Sequence, residues 1–264
     1  MKIKKQNNLK EKFVRKILGL VYRLDNSGSP IFDENGEANF IYQLKDFIKT
    51  KNIVIFDVGA NVGEYSDVIV DNFKETDYVL HVFEPQKSCF SDLNIKFSEN
   101  KNIYLNNFGL SDSDKTSVMY KNADKSVLTS LYKRNLDYYD LKMNVEENIE
   151  LKRADEYIKL KKIKHIDLLK IDVEGHELST LAGFGEYLNS DFIDFIQFEY
   201  GGANLDSHTT LMDFYNIFES KGFMVCKIMK KNLEYREYNP RFENFVYQNY
   251  IAVSNTIFDS IISK

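Results

Sequence analysis

Two short runs carry the first chemical signal in this chain. Ile53-Val-Ile-Phe-Asp-Val-Gly-Ala-Asn-Val-Gly63 reads as a buried strand that passes Asp57 and turns on Gly59 and Gly63 into a helix. About 20 residues on, Val82-Phe-Glu84-Pro85 closes a second strand on another acid, where a doubly wound sheet puts the carboxylate that holds ribose hydroxyls. Glycine lets the backbone bend sharply and approach a ligand, and a helix opening near Gly63 offers free N–H groups to negative charge. The pair predicts a nucleoside-binding crevice. Its middle position is Asn61, so the run is Gly-x-Asn-x-Gly and departs from the dinucleotide pattern Gly-x-Gly-x-x-Gly, which makes a pyrophosphate a poor fit. Asp57 would repel a phosphate but could pair with a cationic amine such as the methionine amino group of S-adenosylmethionine. The competing reading makes Asp57 a helix cap and Glu84 a solvated strand end.

The elements that would position these residues follow from periodicity. Strands near 52–58, 78–84 and 102–108 alternate with helices at 62–74 and 86–98, the β-α-β-α-β pattern of a parallel sheet covered on both faces. A fourth strand, 166–171, stops at Asp172; a helix is expected over 177–188, a fifth strand over 192–198 and a helix over 208–221. The last two strands, 223–229 and 247–253, are close enough in sequence to pair antiparallel. This predicts an α/β fold: a seven-stranded, mostly parallel Rossmann-like sheet with helices on both faces and an N-terminal helical extension. The expected division is 1–50 for the extension and 51–264 for the main domain. At 264 residues, 43% hydrophobic and 14% aromatic, the chain can bury one large core, and three prolines leave little room for linkers. Cys89 and Cys226 form no framework of pairs, so the expected compartment is the reducing cytoplasm.

The order of these strands, ending in an antiparallel pair, is the class I methyltransferase variation on the doubly wound fold. Phe56-Asp-Val-Gly-Ala-Asn-Val-Gly63, Val82-Phe-Glu-Pro85, Gly109-Leu-Ser-Asp112, Ser130-Leu131 and, most specifically, Leu169-Lys-Ile-Asp-Val-Glu-Gly-His-Glu177 occur in register. Together they closely resemble the FkbM family of S-adenosylmethionine-dependent O-methyltransferases, over roughly 50–255. The resemblance implies that Asp57, Gly59, Asn61 and Gly63 hold the methionine part of the cofactor, that Glu84 takes the ribose, and that Leu110 and Ser111 border the adenine. Asp112 could reach the adenine amino group or be a plain turn residue. The resemblance also implies a hydroxyl acceptor, on a sugar of a bacterial surface polysaccharide or glycolipid or on a secondary metabolite.

Methyl transfer from a sulfonium is an in-line displacement, so the protein has to align the acceptor oxygen and remove its proton. Two residues are offered as that base. His176 has a side chain suited to proton transfer near neutrality, and Asp172 ends strand four. Against both, His176 could cap the next helix and Glu177 favour its N-terminus. Asp172 and Glu199 end adjacent strands about 5 Å apart and could share one divalent cation, although two carboxylates are a thin ligand set; otherwise Glu199 lines the acceptor pocket. Lys170 is expected to neutralise Asp172 and Glu174. Segments 126–132 and 235–242 are candidates for acceptor recognition, while His81, His165 and His208 show no metal-ligand spacing.

Partners are bounded by charge. A net charge of −5 without a basic stripe disfavours nucleic acid. The N-terminus alone is basic: Lys2, Lys4, Lys5, Lys10, Lys12, Arg15, Lys16 and Arg23 accompany Phe13, Ile17, Leu20, Val21 and Leu24 at helical spacing. The preferred reading is a surface helix that caps the sheet with its charges solvated. The alternative is peripheral contact with the anionic inner face of a membrane, short of a spanning segment. Two other functions compete: a nucleotide-dependent oxidoreductase, opposed by Asn61, and a non-catalytic S-adenosylmethionine-binding scaffold, opposed by the intact acids Asp57, Glu84 and Asp172. Nothing in the sequence fixes an oligomeric state.

Overall fold

The computed structural model of the chain describes residues 8–48, 52–122, 129–137 and 140–262. In chain order these form α1 (Asn8–Leu24), α2 (Glu37–Leu44), β1 (Ile53–Val58), α3 (Glu64–Phe73), β2 (Tyr78–Phe83), α4 (Lys87–Phe97), β3 (Ile103–Asn106), β4 (Gly109–Leu110), β5 (Lys115–Lys121) and β6 (Val145–Lys152). There follow α5 (Ala154–Lys161), β7 (Ile166–Ile171), α6 (Glu177–Ala182), β8 (Ile193–Tyr200), α7 (Gly202–Ser207), α8 (Leu211–Ser220), β9 (Phe223–Ile228), β10 (Leu233–Tyr235), β11 (Gln248–Ser254) and α9 (Asn255–Ile262).

The main sheet runs β10-β9-β11-β8-β7-β1-β2-β3. β3, β2, β1, β7 and β8 are parallel and β11 is antiparallel to β9, as the sequence predicts; β11 is also antiparallel to β8. The sheet has eight strands rather than seven because Leu233–Tyr235 adds an edge strand beside β9. A second, three-stranded sheet, β4-β6-β5, was not expected. β5 and β6 are charged on one face, and the apolar side chains they bury are Met119, Ile149 and Leu151, so their apolar signal is thin.

All six β7 residues are buried, which requires cover on both faces. One face packs Phe56, Leu169, Ile171 and Phe198 against Tyr157, Leu181, Phe214 and Phe218. The other packs Ile55, Leu80, Leu168 and Phe195 against Ile69, Phe73, Leu93 and, from α2, Phe40, Ile41 and Leu44. The later part of the N-terminal extension is therefore built into the core. By contrast, α1 buries no residue and does not cap the sheet; Leu9, Phe13, Leu20 and Leu24 are 59–78% exposed.

The helix expected over 177–188 ends at Ala182, the one expected over 208–221 is α8, and a short helix that was not expected, α7, precedes it. His208 takes a left-handed conformation that stops α7. Thr210 then starts α8 by accepting from the Asp213 N–H while Asp213 accepts from the Thr210 N–H, a capping box legible as Thr-x-x-Asp.

Candidate functional site

The carboxyl ends of β2, β1, β7 and β8 border a cavity of about 1050 Å³. Gly59, Asn61, Glu84 and Leu110 line one part of it, and Asp172, Glu174, Glu199 and Tyr247 another. Ligands of open α/β sheets occupy this position.

Gly59 has a φ of 80°, and a Cβ there would collide with the Asp172 carbonyl. The turn is thereby pressed against the end of β7. Asn61 is also left-handed, at φ 50°, which Asn tolerates better than most residues. Its N–H donates to Glu84 Oε2 at 2.8 Å, and the Gln86 N–H donates to Oε1 at 2.7 Å. Each carboxylate oxygen keeps acceptor capacity, so Glu84 is aimed into the cavity with room for further donors. Burial pushes its carboxyl up to about 7, against the lowering effect of those two N–H groups. Gly63 does not line the cavity. A Cβ there would meet Leu93 and Phe97 at 2.7 and 2.8 Å, so this glycine serves the seating of α3 on α4.

Asp57 is likewise withdrawn from the cavity wall. It is fully buried, its Oδ2 accepts from the Ser66 hydroxyl at 2.7 Å, and Lys170 Nζ stands 3.2 Å from Oδ1 in an ion pair that falls short of a hydrogen bond. Direct pairing of Asp57 with a ligand amine is replaced by an indirect role through Lys170, which donates to the Gly59 carbonyl at 3.1 Å and lies 3.5 Å from Asp172. Burial works against the lysine's charge, but Asp57, Asp172 and Glu37 outweigh it and hold Lys170 above its ordinary range. Glu174, the other acid expected beside Lys170, pairs instead with Arg134 at 2.6 Å, and Arg134 also reaches Asp206.

His176 lines the cavity, but both of its ring nitrogens are engaged. Its Nε2 is 2.9 Å from Ser111 Oγ, and its Nδ1 is 3.3 Å from the Tyr132 hydroxyl. Since Ser111 donates to Asp112 Oδ1 at 3.0 Å, the chain closes with Nε2–H donating to Ser111 and Nδ1 accepting from Tyr132. Burial, then Lys115, pushes the imidazole down to about 4. It is a neutral brace between the 110–112 turn and the 130–134 loop. Ser111 is fully buried and does not line the cavity. Asp112 is a surface turn residue, held down to about 2 by hydrogen bonds from Lys115, Ser113 and Ser111. Leu110 does line the cavity, and Thr180 fixes its carbonyl.

Asp172 and Glu199 sit side by side at the ends of β7 and β8, as expected. They do not fit a metal. The positive charge near Asp172 is already the Lys170 ammonium, and among the described residues no third Asp, Glu, His or Cys completes a three-donor group with them. The one such group in the described residues is His165, Asp167 and Asp194, at the opposite end of the sheet, a proximity that sequence spacing had not indicated. There His165 pairs with Asp194 at 3.1 Å, and Asp167 accepts from the Val54 N–H at 2.7 Å, which gives the group a structural use.

Several wall residues escaped the sequence reading. Glu37, from α2, accepts from Gln197 at 2.6 Å and from Asn249 at 2.8 Å, and burial pushes it up to about 7. Tyr65 donates to Gln197 Oε1 at 2.8 Å. The usable signal was Gln197 and Asn249 themselves, polar residues inside apolar strands. The aromatic segment 235–242 does not line the cavity: Arg236 pairs with Asp25 and Glu234, and Tyr238 with Glu243. Phe245, Val246 and Tyr247 take that place. Of the 126–132 segment, Thr129, Ser130 and Leu131 line the cavity, and 126–128 lie outside the described residues, as do Lys2, Lys4 and Lys5.

The sequence model of the methyltransferase FkbM domain matches residues 57–225. "Methyltransferase 1" of Beauveria bassiana (strain ARSEF 2860) is 23% identical over 187 residues, 65% of this chain and 72% of that protein. Among solved structures, the methyltransferase FkbM from Methylobacillus flagellatus KT superposes with a TM-score of 0.50 at 14% identity, covering 92% of this chain. This chain spans 60% of the length of that one.

Proposed function

The chain belongs to the FkbM methyltransferase family, and from that premise we propose that it methylates a hydroxyl group of a carbohydrate or similar small polyol, as in a surface polysaccharide, a glycolipid or a secondary metabolite. The cofactor of this family is S-adenosylmethionine, and the wall fits it: the Gly59–Asn61 turn, the spare acceptor capacity of Glu84 for ribose hydroxyls, and the apolar Leu110. Bound there, it supplies an electrophilic methyl group.

The observation that supports the acceptor class is the acidity of the remaining wall. Glu37, Asp172, Glu174 and Glu199 face two basic groups, Lys170 and Arg134, each already paired. Carboxyl groups in either protonation state hydrogen-bond to hydroxyls, and a wall whose two basic groups are already paired offers, among the described residues, no free cation to a phosphate or other anion. A neutral polyol suits such a wall, and a nucleic acid or sugar phosphate does not. The test is to supply methyl-labelled S-adenosylmethionine with a panel of methyl glycosides, simple amines and thiols, and to follow S-adenosylhomocysteine and the labelled product. A methyl ether on a glycoside is expected. Label carried only on nitrogen, sulfur or carbon would refute the reading.

A peripheral membrane contact is favoured by α1. Its apolar side chains are exposed along one stretch while Lys10, Lys12, Arg15, Lys16 and Arg23 flank them, the composition of a helix that lies in an anionic interface. No helix among the described residues is long and apolar enough to cross a membrane. Such a contact would hold the protein at the cytoplasmic face, within reach of lipid-linked glycans.

A further inference from the structure

We propose that Glu199 is the general base of the reaction, taking the acceptor's hydroxyl proton, and that the positive charge of the bound cofactor is what readies it. The proposal rests on the hydroxyl-acceptor reading above. Its ground is the layout of one sheet face. In the first row above the core, Asp57, Lys170 and Gln197 stand on neighbouring strands and all are engaged, Gln197 with Tyr65 and Glu37. In the next row Asn249 is paired across from Glu199 and is held by Glu37. Asp172 faces Lys170. Among the described residues, no side chain or backbone group donates a hydrogen bond to Glu199, although it lines the cavity. Neighbouring strands are about 4.8 Å apart, so Glu199 lies about 10 Å along the sheet from the Gly59–Asn61 turn, on the side away from Glu84.

The groups facing Glu199 explain its state. Asp172 and Lys170 approach from β7, Glu174 and Glu177 from the loop and first turn of α6, Glu37 from α2 and Tyr247 from the approach to β11. Burial, then the carboxylates of Asp172, Glu174, Glu177 and Glu37, hold the Glu199 carboxyl well above the usual range, which favours its protonated form while no ligand is bound. A cation arriving nearby favours the carboxylate. A base of raised proton affinity suits an alcohol better than an ordinary carboxylate does. In the transfer the acceptor O–H breaks and its proton goes to a Glu199 carboxylate oxygen. The oxygen lone pair forms the new C–O bond, and the pair of the broken C–S bond stays on sulfur. Carboxylate and sulfonium both end neutral.

The test is calorimetric binding of S-adenosylmethionine and of S-adenosylhomocysteine, whose sulfur is neutral, at pH 7 in buffers of different ionisation heat. Wild type should release up to about one more proton with the sulfonium ligand than with the thioether. Glu199→Gln should abolish that difference and keep S-adenosylhomocysteine affinity within a few fold, while Glu199→Asp, a second variant that retains the acid, should preserve it. Equal proton counts in wild type, or a difference that survives Glu199→Gln, overturn the proposal. With the glycoside found by the acceptor panel, Glu199→Gln should lower kcat by about 10²-fold or more with little change in KM. An undiminished rate would remove the base and leave the hydroxyl-acceptor reading intact. If wild type methylated no hydroxyl at all, that reading would fall first, and the proton count alone would then decide whether the cofactor's charge ionises Glu199.

Discussion

Replacing Lys170 by methionine tests the electrostatic frame beneath the site. The lysine side chain is 6% exposed and Asp57 is 0% exposed, so their ion pair at 3.2 Å lies out of water. Removing one partner of a buried pair leaves an uncompensated charge, at a cost of about 3–5 kcal/mol. Asp172, 38% exposed, is screened and adds little to that figure. Lys170→Met also deletes the donor to the Gly59 carbonyl, so the turn loses its tether to β7. For a chain of this size each kcal/mol moves the midpoint by about 2–4 °C, giving an expected fall of about 6–20 °C. Urea unfolding followed by circular dichroism measures the free energy directly, and calorimetry with S-adenosylhomocysteine measures the turn. The double variant Asp57→Asn/Lys170→Met removes both charges and should recover most of the loss, because a buried pair exchanged for neutral groups is often tolerated. A single variant within about 1 kcal/mol of wild type, or a double variant no more stable than Lys170→Met, would refute the reasoning.

Three further outcomes are expected. Glu84→Ala should weaken S-adenosylhomocysteine binding by about 1–3 kcal/mol, read by calorimetry; unchanged affinity would remove Glu84 from the ribose site. His81, pushed down to about 4 by burial and then by Lys161, stays neutral in the fold while its unfolded counterpart protonates near 6.5. Its contribution is present above 6.5 and lost as pH falls toward 4, so His81→Phe should flatten the acid loss of stability by about 2–3 kcal/mol over that window, and identical pH slopes in the two proteins would count against it. Finally, Lys12→Glu/Lys16→Glu should abolish flotation with vesicles containing anionic phosphatidylserine, whereas equal flotation, or no wild-type binding, would return α1 to the role of an ordinary solvated helix.

The crevice was legible because its signals are local. A strand ending at Asp57, a turn that needs Gly59, and Glu84 at the end of the next strand are all specified within short stretches of backbone. The Leu169–Glu177 run was legible for the same reason. What spacing could not show was which side chains are already engaged by others. Asp57 and His176 have the residue types of ligand and base, yet Ser66 and Lys170 consume one, and Ser111 and Tyr132 the other. Those partners lie up to 113 positions away, as Asp57 and Lys170 do, and spacing along the chain holds no information about them (170 − 57 = 113). The small sheet was missed because β5 and β6 alternate charged with apolar residues too sparsely to stand out.

The sequence by itself determined the alternation of parallel strands and helices, the turn chemistry at Gly59–Asn61, the acid Glu84 after the second strand and the family, since these depend on periodicity, glycine sterics and contiguous motifs. Only the tertiary structure decided which acids face the cavity. Folding brought Glu37 from the N-terminal segment onto the same sheet face as Gln197 and Asn249, committed Lys170 and Arg134 to particular acids, and left Glu199 without a hydrogen-bond donor among the described residues. The reason is that a carboxylate's role is set by how many donors and charges surround it in a dry interior, and that count is a property of the packed chain.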